Sequence, residues 1–221
     1  MIDWLAANST LVNILLNGAM TLIWLIYLHL LLSSTRRSRR TNIFVNRSAD
    51  RGDKAECVVT NMGAEPIYLI DVIAELIIDG KNYSTVVTDR EELDVDDVTN
   101  MLERSNQVAL DRGESRAIGN FRNLVWRAIK HLDLRDCEDR ITDLRLIVVV
   151  AGHENRIAAA EKEYYVVSQG DGGHSYVPQG LMTRQLHSAR TRRRIQKLME
   201  ENLRLESEEA RRQAGQTRLA A

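Results

Sequence analysis

The first long pattern in the chain is an apolar stretch close to the N-terminus, with no charged residue between Trp4 and Ser34. Its central part, residues 10–32, would rise about 35 Å as a helix, which exceeds the roughly 30 Å hydrocarbon core of a bilayer. The alternatives are a buried core helix and a cleaved signal sequence. A signal sequence begins with basic residues and has an apolar part of only about 7–15 residues, whereas this stretch is longer and follows Asp3. We therefore predict a transmembrane anchor over residues 1–34.

Polar side chains interrupt this stretch at a spacing of three or four residues. At 100° per residue they share an arc of about 80° on one helix face. An Asn that faces lipid is costly, and Gly18 beside Asn17 permits the close approach of a second backbone. The stripe predicts association with another membrane protein or with further copies of this chain; the alternative is an oligomeric ion channel that the stripe lines. The predicted association residues are Thr10, Asn13, Asn17, Gly18, Thr21 and Trp24.

Beyond residue 41 the apolar positions form short runs separated by turn residues, which is typical of β-strands. Asp79-Gly80 predicts a hairpin turn between two runs, and the sequence GHEN at 152–155 predicts a second. A shorter strand pair is predicted around Arg112-Gly113. Short strands joined by turns favour a mainly β fold, an antiparallel sandwich over residues 42–168. The predicted strands are 55–60, 67–78, 83–88, 142–151 and 156–167, with the shorter pair within 107–118.

Two segments of this domain predict helices inserted between the strands. Residues 121–132 carry apolar side chains at i, i+3, i+4, i+7, i+8 and i+11, with Arg122, Arg127 and Lys130 on other faces. This amphipathic helix either covers an open end of the sandwich or binds a partner. Residues 94–104 predict a shorter helix whose acidic first turn suits the helix dipole.

The C-terminal part of the chain has a different pattern. A Gly-rich segment over 169–180 predicts a flexible linker, and the charged residues 181–221 predict a long helix rich in good helix formers. Within that helix a 3, 4, 3 spacing is typical of a short coiled coil. A basic first half also precedes an acidic second half. Together these features predict a partner-binding tail made of Arg190, Arg192, Arg193, Arg194, Ile195, Leu198, Asn202 and Leu205.

The charges of the chain are sorted by segment, although 30 basic and 31 acidic residues give a net charge of only −1. Residues 41–180 carry a charge of −9, and residues 181–221 carry +5. Basic residues that flank a span stay on the cytoplasmic side. We therefore predict a basic juxtamembrane segment over 35–41, an N-terminus outside, and residues 36–221 in the cytoplasm beneath a bacterial inner membrane. The orienting residues are Arg36, Arg37, Arg39 and Arg40.

Two parts of the predicted β domain carry a family resemblance. The sequence VVTNMGAEPIYLIDV, residues 58–72, resembles two strands of bacterial immunoglobulin-like modules, which often read as a strand, Asn-x-Gly, a turn with Pro and an apolar strand. The sequence LDRGES, residues 110–115, looks like the turn before a later strand in such modules. The resemblance covers residues 42–168. It implies a sandwich used for contacts rather than for catalysis, and it transfers no functional residue.

Candidate chemical patterns are incomplete. The acidic run 89–97 lacks the Gly that a calcium-binding EF-hand loop needs at its sixth position. The Gly-rich residues 170–173 lack the Lys-Ser or Lys-Thr of a phosphate-binding loop. Cys57 and Cys137 are predicted to be core residues without a disulfide, because the cytosol keeps thiols reduced. We predict no catalytic, cofactor-binding or metal-binding residue.

These observations favour a non-enzymatic, single-span adaptor or accessory subunit of a membrane complex. The predicted partners are the lipid bilayer and either another membrane protein or further copies of this chain. The basic segments can also contact anionic lipid. No aromatic residue is interleaved with the basic residues of 190–197, which argues against nucleic acid as a partner.

Overall fold

The computed structural model describes residues 8–38, 41–48, 55–88, 106–134, 137–152, 157–169, 173–186 and 188–219. The chain divides into two compact units, Met1–Arg40 and Thr41–Ala221. The first contains one apolar helix, and the second is mainly β with antiparallel sheets. This confirms the predicted β class and the N-terminal helix.

The helix of the first unit, α1, spans Ser9–Ser38. Over Ser9–Ser34 it is long and apolar enough to cross a membrane, and none of that stretch is buried within the protein. The helix continues beyond the predicted anchor boundary at residue 34 and includes the first part of the predicted juxtamembrane segment. Leu, Met, Ala and Arg are good helix formers, and no Pro interrupts the run.

The second unit contains ten strands and two α-helices among its described residues. A three-stranded sheet has the order β1-β2-β6. A seven-stranded sheet has the order β10-β8-β7-β3-β4, with β5 paired to β3 and β9 paired to β8. The elements are β1 Ile43–Arg47, β2 Glu56–Asn61, β3 Ile67–Ile78, β4 Lys81–Val86, β5 Val108–Leu110, β6 Ser115–Asn120, α2 Phe121–His131, β7 Ile141–Ala151, β8 Ile157–Ser168, β9 His174–Pro178, β10 Arg184–Gln185 and α3 Ala189–Leu219, with a 3-10 turn at Glu138–Arg140.

Both predicted long hairpins are confirmed. Asp79 and Gly80 adopt positive φ values of 49° and 74°, and Ile78 pairs with Lys81 across them. Two successive left-handed residues give the tight turn whose twist matches that of the flanking strands, which is why Asp-Gly is favoured there. The second hairpin joins β7 to β8 in continuous antiparallel register along both strands.

The predicted strand pair around Arg112-Gly113 is wrong, because β5 and β6 belong to different sheets. Asn61 at the end of β2 explains the difference. Its carbonyl accepts from the Gly113 N–H at 2.7 Å, its N–H donates to the Glu114 carbonyl at 3.0 Å, and its amide donates to the Leu110 carbonyl at 3.1 Å. The turn is therefore tied to β2, and the chain crosses there from one sheet to the other.

The predicted linker over 169–180 and the start of the C-terminal helix at 181 also need correction. Residues 174–178 form β9, which pairs with β8, and α3 begins only at Ala189, after the short strand β10. Tyr176 is buried and stacks on Phe121 with ring centroids 5.0 Å apart, so aromatic packing holds β9 in place. Strand β1 was not predicted either.

One buried core takes residues from both sheets and from α2. Ile43 and Val59 contribute from the three-stranded sheet, and Val72 and Leu146 contribute from the seven-stranded sheet. Each fully buried side chain of this size stabilises the fold by about 1.5–3 kcal/mol. Cys57 and Cys137 are both buried and neither forms a disulfide, which confirms that prediction. Burial raises the pKa of the Cys57 thiol, so it stays protonated.

Helix α2 confirms the predicted amphipathic pattern. Asn120 caps it by accepting the Asn123 N–H at 2.8 Å, and the side chains of Phe121, Leu124, Val125, Ala128 and Ile129 are buried. Arg127, predicted on another face, is fully buried instead. Its guanidinium donates to the Val87 carbonyl at 2.6 Å and to the Asn123 carbonyl at 3.3 Å, which offsets part of the cost of burying the charge. The helix predicted over 94–104 lies outside the described residues.

The outer edge of β1 is closed by side chains rather than by another strand. The Thr183 hydroxyl accepts from the Val45 N–H at 2.8 Å and donates to its carbonyl at 3.1 Å. The Gln185 amide makes the same two contacts with Ile43. These side chains satisfy backbone groups that an edge strand would otherwise expose.

Candidate functional site

The polar stripe of α1 is the first candidate site, and its side chains differ in how they are satisfied. The Thr21 hydroxyl donates to the Asn17 carbonyl at 2.8 Å within the same helix. The carboxamides of Asn13 and Asn17 have no such bond to the described residues. In a bilayer these two groups need partners from outside the helix, because lipid offers none.

Gly18 lies beside the stripe in open space. A Cβ placed on Gly18 would meet no atom of the protein within 4 Å. Nothing within the described chain therefore requires Gly there, although Gly costs a helix roughly 1 kcal/mol relative to Ala. Trp24 packs edge-to-face on Tyr27 with ring centroids 6.0 Å apart, and Thr10 lies in the first turn of α1.

The predicted orienting residues fall at and beyond the end of α1. Arg36 and Arg37 lie on its last turn, so the helix backbone carries them directly after the apolar stretch. Arg39 and Arg40 lie outside the described residues.

The outer face of the seven-stranded sheet is the second candidate site. We use this name for the side of the sheet opposite the shared core. Its apolar part is covered by the first turns of α3, where Ile195 is only 3% exposed and Leu198 and Met199 are partly buried. The sheet residues in this second cluster are Ile73, Val86, Ile147, Val149, Ile157 and Ala159, together with Leu186 from the segment before α3.

Charged side chains fill the rest of the outer face around one buried carboxylate. Glu75 has a side chain only 3% exposed, and it binds Arg145 at 2.7 Å and Arg194 at 3.0 Å. Arg145 also binds Glu163 at 2.8 Å. Partial burial opposes the charged form of Arg145, but the hydrogen bonds to the two carboxylates outweigh it and raise the pKa of Arg145. Because Arg145 belongs to the sheet, Glu75 keeps a partner even without α3.

The predicted tail residues have separate locations. Arg194, Ile195 and Leu198 contact the outer face of the chain's own sheet. Asn202 is partly buried, and the side chain of Leu205 lies outside the described residues. The remaining basic residues, Arg190, Arg192 and Arg193, are exposed. While α3 is docked, Ile195 and Leu198 cannot face a second helix, so the coiled-coil prediction requires α3 to leave the sheet.

A cavity of about 420 Å³ lies between α3 and the sheet. Val86, Ile157 and Met199 give it apolar walls, and Asp71 and Glu200 contribute carboxylates. Such a volume is in the range of small-molecule sites. Among the residues that the structure describes, no group of three or more His, Cys, Asp or Glu side chains is arranged to hold a metal ion.

Sequence reasoning missed the charged cluster of the outer face. Part of it could have been found in the predicted second hairpin, whose register places Arg145 opposite Glu163. Comparisons with known proteins add no further guide, because no family model, no curated protein and no solved structure matches the chain. The immunoglobulin-like resemblance therefore stays a prediction.

Proposed function

We propose that the protein is a non-enzymatic, single-span adaptor or accessory subunit of a membrane complex. In this proposal α1 crosses a bilayer, and the unit Thr41–Ala221 lies in the cytoplasm and makes the contacts. The observation that carries the proposal is the exposed apolar surface of α1, with a stripe of carboxamides along one side.

The exposed surface of α1 supports the membrane part of the proposal. Ile14 is 66% exposed, Leu15 64% and Ile23 65%, and the rest of the span is similar. Apolar surface left in water costs about 25 cal/mol per Å², so a run of this length is unfavourable outside lipid or a partner. The Arg residues that follow the span support a cytoplasmic C-terminal side by the positive-inside rule.

The polar stripe supports the role as a subunit. An Asn carboxamide offers two donors and an acceptor, so Asn13 and Asn17 suit hydrogen bonds with polar side chains of a neighbouring helix. Thr21 contributes less, because its hydroxyl already donates to the Asn17 carbonyl. We also propose that the two sheets form an immunoglobulin-like sandwich, the kind of module that serves binding.

The membrane part is tested by fractionation of membranes that contain the full chain. We expect the chain to stay with the membrane after alkaline carbonate extraction and to float with liposomes. A cysteine introduced at the exposed position Asn82 should react with an impermeant maleimide only after the membrane is opened. Release by carbonate contradicts the anchor, and labelling from outside intact cells contradicts the orientation.

The subunit role is tested by purification in mild detergent, with mass spectrometry of what accompanies the chain. We expect a membrane protein or further copies of the chain, and about a tenfold loss of that association in Asn17→Leu for a change near 1.4 kcal/mol. Thr21→Val is the matched control and should change association little. A monomer without companions contradicts the proposal. Ion current from the purified chain in planar bilayers, altered by Asn17→Leu, would favour the channel instead.

A further inference from the structure

The loop of residues 179–183 between β9 and β10 displays two apolar side chains to solvent. Leu181 is 92% exposed and Met182 is 78% exposed, the highest values among the large apolar side chains that the structure describes. Single exposed apolar residues are common at protein surfaces. Leu181 and Met182 are adjacent, however, and the loop that carries them is held by several hydrogen bonds.

The buried side chain of Lys162 fixes the loop from inside. Lys162 is 4% exposed, and its ammonium donates to the carbonyls of Gly180 at 2.5 Å, Leu181 at 3.0 Å and Met182 at 3.4 Å. Three successive carbonyls that turn inward leave the side chains between them directed outward. The exposure of Leu181 and Met182 is therefore a result of how the loop is built.

Both ends of the loop are held as well. The Gln179 N–H donates to the Glu163 carbonyl at 2.9 Å, and its amide donates to Asp143 at 2.6 Å. At the other end Thr183 makes its two bonds to the backbone of Val45. The loop thus has little freedom to turn its apolar side chains inward.

Burial of Lys162 is unfavourable by itself. Desolvation lowers the pKa of its ammonium, and backbone carbonyls compensate less fully than a carboxylate would. An apolar side chain at this position would fill the space without that cost. The lysine is explained better by the loop shape that it imposes than by packing.

We propose that Leu181 and Met182, which we call the apolar knob, insert into the boundary between headgroups and acyl chains of the bilayer that holds α1. This inference rests on the proposed anchor. Insertion of the knob would fix one side of the folded unit against the membrane surface.

The small size of the knob favours lipid over a protein as its occupant. Two side chains cover much less area than the roughly 800 Å² on each partner that a stable protein interface covers. The anchor removes the need for strong binding, because it holds the unit at high local concentration near the bilayer.

Two of the carboxylates close to the knob have basic partners. Glu161 is paired with Arg184, and Glu163 is paired with Arg145. Paired charges present little net field to anionic headgroups, although the domain as a whole is acidic. The unbranched, flexible side chain of Met also suits a fluid environment.

The test places a fluorescent probe on the knob in the full chain, reconstituted in phosphatidylcholine and phosphatidylglycerol vesicles. Met182→Cys carries an environment-sensitive dye, and Cys57 and Cys137 are buried. Leu203→Cys, at a position 69% exposed on α3, is the matched control. We expect blue-shifted emission and about twofold stronger quenching by shallow nitroxide lipids at position 182, because an inserted group lies about 5–10 Å deep.

A second pair of variants separates the knob from the fold and from the anchor. The dye is moved to Gly180→Cys, where a Cβ meets no atom within 4 Å, and L181S/M182S is added to it. Lipid quenching at 180 should then fall to the level at 203, and K162M should lower it as well if that variant folds. Water-like emission at 182 in vesicles overturns the inference, and so does a shielded dye that lipid nitroxides do not quench, which indicates a protein contact. Retention after carbonate extraction in the same samples shows whether the anchor itself has failed.

Discussion

Helices α1 and α3 have almost the same length, 30 and 31 residues, and they bury opposite kinds of surface. α1 is apolar around most of its circumference, yet no part of its span is buried in the protein. α3 is dominated by charged residues, yet it buries Ile195 against the sheet. The apolar content of a helix therefore does not predict whether that helix is buried within the protein.

The difference lies in what each helix requires from its surroundings. α3 needs only a narrow apolar strip, supplied by Ile195, Leu198 and Met199, and the outer face of the sheet provides a matching surface. α1 is apolar around most of its circumference, and none of its span is buried within the protein. The apolar strip of α3 is covered within the chain, whereas the apolar surface of α1 would need lipid or another protein to cover it.

The largest effect is expected from a substitution in the contact between α3 and the sheet. Ile195→Ala should lower the free energy of unfolding of the folded unit by about 2–3 kcal/mol, since it removes buried methyl groups and leaves a cavity. The measurement is a denaturant titration of the full chain in mild detergent. Lys197→Ala, at an exposed position of α3, should change the value by less than about 0.5 kcal/mol. Equal effects of the two variants would show that α3 does not depend on this contact.

The self-association of α1 should respond to a substitution next to its stripe. Gly18→Leu should weaken it by about 1 kcal/mol, or roughly fivefold, because a large side chain prevents close approach of two backbones. Energy transfer between labelled chains in vesicles, followed as lipid is added, measures this. Ala19→Leu adds a similar volume 100° away around the helix and serves as the control. If Gly18→Leu associates normally, Gly18 does not lie in an interface.

The ion pair of α3 should contribute less than its apolar strip. Arg194→Gln should cost about 0.5–1 kcal/mol in the free energy of unfolding, because the Arg194 side chain is 64% exposed and Glu75 retains Arg145. The effect should shrink as salt is added. Arg193→Gln changes the same charge at an exposed neighbouring position and is the control. A larger loss than that of Ile195→Ala would reverse the proposed order of the two contributions.

The smallest effect on stability is expected from the ion pair between Arg140 and Asp79, because both side chains are exposed. Arg140 binds Asp79 in the hairpin turn and holds the pKa of Asp79 below its usual value of 3.8. Ionised Asp79 therefore stabilises the fold above that pH, and this contribution is lost as the pH falls through the lowered pKa. Asp79→Asn keeps a residue that tolerates positive φ.

Unfolding midpoints between pH 6 and pH 2 measure this pair. The difference between the native chain and Asp79→Asn should be constant near neutral pH and should shrink in the acid range. A difference that grows as the pH falls would contradict the assignment.

The parts of the fold that sequence reasoning recovered are those whose local pattern agrees with the final contacts. The strand over residues 67–78 is a long run rich in β-branched residues, and Asp79-Gly80 suits its turn chemically. α2 shows its buried face in its spacing. For each of these, local preference and tertiary packing point the same way.

The missed parts depend on contacts between residues distant in sequence. β9 is a short strand that follows Gly-rich residues and ends at Pro178, and only its pairing with β8 and the packing of Tyr176 reveal it. Arg127 and Lys162 are buried charged residues, and both donate hydrogen bonds to backbone carbonyls elsewhere in the chain. The polar stripe of α1 was read directly from its spacing, whereas the cluster around Glu75 required the sheet to bring three strands and α3 together.

The closure of β1 by Thr183 and Gln185 has a consequence for synthesis of the chain. The bonded residues are 138 and 142 positions apart in sequence. During translation α1 and β1 leave the ribosome long before the side chains that close the edge, and non-local contacts of this kind form slowly. The nascent chain therefore keeps an open strand edge, the surface that leads to aggregation, until nearly all of the protein has been made. A fragment that ends before residue 183 retains that open edge permanently.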